Sequence, residues 1–112
     1  MPSPRSDEAL LVLCTCPDQA SAEAIAADLV QSRLAACVNL LPGLTSVYRW
    51  EDQVEQASEV MLLIKTTAAR VEALTNQVQQ AHPYDLPEII ALPIADGLTP
   101  YLEWIHQCTR EP

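Results

Sequence analysis

Two apolar runs, ALLVLCTC at 9–16 and VMLLI at 60–64, are each followed by a segment of helical period, and this pairing constrains the fold most. A continuous apolar run with β-branched members is a strand buried on both faces, and so central in its sheet. Behind the first run, Ala22, Ile25, Ala26, Leu29, Val30 and Leu34 recur at three- and four-residue spacing. Acids gather early in that segment and Arg33 comes late, as an amphipathic helix and its dipole favour. Behind the second run Thr67 stands as a cap, and Val71, Leu74 and Val78 form the buried stripe of a second helix.

The intervening and closing segments are strands of a different kind. ACVNLLPGLTSVYRW (36–50) is interrupted by Pro42-Gly43, which marks an edge position or a bulge. EDQ at 51–53 turns the chain into VEQASEVMLLIKTT (54–67), predicting a long hairpin. EIIALPIA (88–95) is a strand that Pro93 also marks as an edge. Thr99 caps and Pro100 opens a terminal helix, with Tyr101, Leu102, Ile105 and Cys108 facing inward. The order βαββαβ plus a helix predicts an α+β, ferredoxin-like domain: an antiparallel sheet with strands 1 and 3 inside, 2 and 4 at the edges, and both helices on one face. The domain is expected over 9–112, with 1–8 a loose tail.

Such a sheet leaves one face and two edges uncovered, and Tyr48 and Trp50 add aromatic surface at i, i+2 spacing on the hairpin. Oligomerisation is the natural way to cover them. Fifteen acids against six bases give a formal charge of −9, which disfavours nucleic acid and anionic membranes and favours cations or plain solubility. No apolar run approaches the ~20 residues of a membrane span, and the start does not read as a signal peptide, so a cytoplasmic location is expected. The four cysteines show no C-x-x-C and no paired zinc-finger spacing.

AHPYDLPEII (81–90) concentrates candidate chemistry in a stiff frame, because Pro83 and Pro87 fix φ and push His82 and Leu86 towards extended geometry. His82 either meets the last carbonyls of helix 2 or serves as a ligand. Cys14, with Cys16 on the same strand face, is either small apolar core or a soft donor suited to copper or zinc. Lys65 either snorkels from its apolar strand or pairs with an acid such as Glu88.

LVLCT, RLAACVN, SVYRW with EDQVEQASE, LLIKTT, HPYDLPEI and YLEWI stand in an order that resembles the CutA divalent-cation tolerance family across about residues 9 to 106. The resemblance implies a ferredoxin-like subunit in a tight homotrimer, cytoplasmic in bacteria, that binds divalent metal and is no enzyme. It implies tolerance of copper and other divalent metals, with Cys14 and His82 as ligands; two ligands predict weak binding, copper first and zinc behind. Ala81 stands where a second histidine is expected, and Asp52 where the hairpin turn is expected to hold glycine. It also implies that Tyr84 and Glu88 belong to an intersubunit cleft; with Lys65, and Trp50 as a trimer contact, they make a candidate intersubunit pocket open to a small ligand or protein partner. Two other classes remain: a trimeric PII-like adaptor, for which a Gly-rich phosphate cradle is lacking, and a thiol enzyme built on Cys14 or Cys16 with His82.

Overall fold

The computed structural model describes residues 8–111, so all but Glu8 of the tail expected at 1–8 lies outside the described residues. Glu8 itself is tied in, its carbonyl accepting from the Ala68 amide at 2.9 Å. Seven elements follow: β1 (Ala9–Cys16), α1 (Gln19–Gln31), β2 (Cys37–Trp50), β3 (Gln53–Thr67), α2 (Val71–Ala81), β4 (Ile89–Pro93) and α3 (Thr99–Cys108). The sheet is antiparallel throughout, in the order β2-β3-β1-β4, so the two proline-bearing strands are its edges.

The ladder register places Cys14 opposite Leu62 and Ile89, and Cys16 opposite Val60. On that face Val12, Cys14, Cys16, Val60, Leu62 and Ile64 meet Ala22, Ile25 and Leu29 of α1 and Leu74 and Val78 of α2. Leu11 and Lys65, a ladder pair, alternate to the other face and line a cleft with Leu98, Tyr101, Leu102 and Ile105. The terminal helix therefore covers one end of the face that α1 and α2 leave bare. Ile90 and Leu92, opposite Leu13 and Leu11, stay about half exposed there.

Local chemistry corrects several expected boundaries. Asp18 caps α1, its side chain accepting from the Ser21 amide at 2.8 Å. The first and last turns of α1 carry neither acid nor base at the ends where the dipole would use them, and Arg33 lies beyond the helix at φ +62°. Val30, expected inward, is exposed. Thr67 does not cap α2 because it is still paired with Ala9 in the sheet; Arg70 is the cap residue instead. Thr99 is already helical, with Leu98 before it, and Tyr101 is exposed rather than inward. The hairpin turn is Glu51-Asp52 alone, at φ +48° and +65°, since Gln53 pairs with Trp50. Two residues at positive φ match the twist of the flanking strands. The β2–β3 register slips between Leu41 and Leu44, with Gly43 at φ +82°, so Pro42-Gly43 makes a bulge.

Candidate metal centre

The C-x-C spacing sends both sulfurs of β1 to the same face, beneath the end of α2. His82 ends that helix, its amide bonded to the Val78 carbonyl at 2.8 Å while its own backbone turns extended at φ −76°, ψ 138°, as a residue before proline must. The turn drives the imidazole inward. The Sγ atoms of Cys14 and Cys16 and a ring nitrogen of His82 all lie within 4.8 Å of one another, and all three residues are buried.

The imidazole is held on both sides. Its Nδ1 accepts from the Tyr84 amide at 3.1 Å, which leaves the proton on Nε2, and Nε2 donates to the Thr15 carbonyl at 2.7 Å. The Tyr84 ring lies 4.9 Å from that of His82, and its hydroxyl donates to Glu59 Oε2 at 3.0 Å. Burial, with the Glu59 carboxylate behind it, pushes the Tyr84 phenol up to about 12. Between the thiols, a hydrogen bond to the Cys16 sulfur, reinforced by burial, pushes Cys14 well above the ordinary thiol range. The same contact draws Cys16 down against its burial. The contact thus makes the two thiols unequal, with Cys16 the more acidic of the pair.

Two thiols and an imidazole in a buried cluster form a soft donor set that suits copper or zinc. The fit has a condition: a metal that takes a ring nitrogen must displace the Thr15 or the Tyr84 hydrogen bond. A thiol proton passed to the imidazole would meet the same condition, since Nδ1 is already engaged by the Tyr84 amide.

Of the residues expected at an intersubunit pocket, the structure brings Tyr84 to the cluster, and the charge of Glu88 acts on Cys14. Trp50 stands apart at the hairpin tip, 51% exposed. Lys65 does not pair with Glu88: it donates to Asn39 Oδ1 on the neighbouring strand. Reach decides this, because β2 lies beside β3 whereas Glu88 precedes β4 on the far side of β1. The expected ligand pair omitted Cys16, although its place on the face of Cys14 was readable from the two-residue spacing. Glu59 gave no signal as a single acid in a strand, and the Thr15 carbonyl could give none.

Residues 10–108 match the family described as CutA1 divalent ion tolerance protein. The chain is 50% identical over 96 residues to mouse protein CutA, covering 86% of this chain and 54% of the mouse protein, so it spans about half of that relative. It is 47% identical over 103 residues to the divalent-cation tolerance protein CutA of Pectobacterium atrosepticum, covering 92% of this chain and 94% of that one. The crystal structure of CutA from Xylella fastidiosa superposes with a TM-score of 0.90 at 48% identity, over 92% of this chain and 99% of that chain.

Proposed function

The chain belongs to the CutA1 divalent ion tolerance family, and from that premise we propose that it binds a thiophilic divalent cation, copper ahead of zinc, as part of the cell's tolerance of such metals. The observation that carries this is the meeting of Cys14, Cys16 and His82 within 4.8 Å. Cys14 and His82 are the proposed ligands, with Cys16 as the third. Three protein donors leave one position of a four-coordinate shell to water, a carboxylate or a neighbouring subunit. Copper(II) heads the divalent affinity order, and magnesium, which prefers oxygen, is excluded by the donor set.

The role is binding rather than catalysis. The proposed assembly is a homotrimer, supported by the apolar side chains left bare at both sheet edges: Val47 (62% exposed) and Trp50 on β2, and Ile90 and Leu92 on β4. Neighbouring subunits then border the pocket of Tyr84 and Glu88, where a small ligand or protein partner would sit. The proposed location is the cytoplasm, where four free thiols stay reduced; cell fractionation checks it. No helix among the described residues is long and apolar enough to cross a membrane.

Copper and zinc titrations of the wild type against Cys14→Ser, Cys16→Ser and His82→Ala test the site. Each single variant should bind more weakly, and Cys14→Ser with His82→Ala should lose the specific site. Copper affinity unchanged in that double variant would place binding on the surface acids instead.

A further inference from the structure

Arg70, at the start of α2, is fixed from two sides. Its Nε donates to the Arg33 carbonyl at 3.4 Å, and its Nη1 to the Glu111 carboxylate at 3.1 Å. The two ends of the ion pair are unequal: the Arg70 side chain is 14% exposed and that of Glu111 81%. In a chain of fifteen acids and six bases, this is the one ion pair among the described residues. Around it Thr67, Ala69, His106, Thr109 and Arg110 line an open cleft of about 460 Å³ between the start of α2 and the end of α3.

Two arginines and a histidine line the cleft on a protein whose net charge is −9. A guanidinium offers five donors in a planar fork suited to oxyanions. Glu111 engages one nitrogen of that fork, and among the described residues Arg110 and the ring of His106 donate to no acceptor. An exposed carboxylate holds its place weakly, because screening and side-chain entropy offset most of its attraction. A largely buried arginine is preorganised and keeps its demand for a counter-ion when that carboxylate leaves.

We infer that this cleft binds a small dianionic oxyanion, a phosphate group, and that Glu111 is its internal competitor. A phosphate can bridge Arg70 and Arg110 at once, which one carboxylate on a single nitrogen does not. The positive end of α2 adds to the field without defining the site. The cleft is separate from the cysteine cluster, since His82 lies at the other end of α2, twelve residues from Arg70 or roughly 18 Å away at the ordinary helical rise.

Calorimetric titration of the full chain with inorganic phosphate, at constant ionic strength and with acetate in parallel, tests the inference. Glu111→Gln removes the competing charge and should tighten phosphate binding several-fold. Arg110→Gln, on an exposed side chain away from the core, should weaken it several-fold, and Arg70→Gln should abolish it. Unfolding curves check that each variant is folded; if Arg70→Gln is not, Arg110→Gln decides. Equal phosphate binding in wild type and Glu111→Gln would overturn the inference. So would binding that survives Arg110→Gln unchanged, acetate binding as tight as phosphate, or no phosphate binding at all.

Discussion

His82 is fully engaged before any metal arrives, so at the scale of single residues it is a structural part as well as a candidate ligand. Removing it strips the Tyr84 amide of its acceptor in a partly buried place. His82→Ala should therefore cost about 1–3 kcal/mol in urea unfolding without metal, the penalty of an unpaired buried polar group. A variant as stable as wild type would mean that water replaces the ring at no cost. Tyr84 adds a pH dependence whose sign is fixed. Its phenol is held up at about 12 in the folded protein, against about 10 in an unfolded chain. The unfolded state therefore releases this proton first, and the stabilisation, complete below pH 10, is lost as pH rises towards 12. Tyr84→Phe should show a shallower loss of stability over that window, followed by circular dichroism. The thiols separate by burial: Cys37 and Cys108 are half-buried, while Cys14 and Cys16 are closed off. A thiol reagent should modify two cysteines quickly in the native protein and all four after unfolding.

Among the elements, the β2–β3 hairpin carries the clearest local strain. Glu51 and Asp52 both sit at positive φ, where an L-residue is disfavoured by about 1–2 kcal/mol and glycine is not. Glycine gives back about 0.5–1 kcal/mol through the greater freedom of the unfolded chain, so Asp52→Gly should stabilise the protein by about 0.5–1 kcal/mol. A denaturation midpoint unchanged or lowered would show that the Asp52 side chain contributes something its backbone angle does not reveal. The elements also explain where sequence boundaries slipped. Thr67 has the chemistry of a cap, yet its ladder partner Ala9 keeps it in β3. Arg33 looks like a helix-ending base, but the chain has already turned left-handed to bring Leu34 back under the sheet.

The molecule as a whole leaves more apolar surface bare than its core needs, with Val54 69%, Trp50 51% and Ile90 50% exposed. In an isolated chain a half-exposed tryptophan contributes little, whereas one buried between subunits costs about 3–5 kcal/mol to truncate. Trp50→Ala thus reports assembly: a large loss, with a melting temperature that rises with protein concentration, is expected for the proposed trimer. A loss too small to measure, with a monomer by light scattering, would leave the hairpin tip without a partner.

The one-dimensional pattern determined the order of elements, the two central strands and the two edge strands. Those depend on period and on proline's missing donor, both local properties that any chain environment must respect. It also determined that Cys14 and Cys16 share a face, because alternation along a strand is fixed. That His82 should meet them came from family resemblance, not from periodicity. The tertiary structure alone decided how it meets them, since Thr15 and His82 are 67 residues apart and a backbone carbonyl carries no sequence signal. It alone set Tyr84 on Glu59, Lys65 on Asn39 and Arg70 on Glu111. Tyr84–Glu59 and Arg70–Glu111 join segments that only packing of the whole chain brings together, while Lys65–Asn39 depends on the register of the β2–β3 ladder.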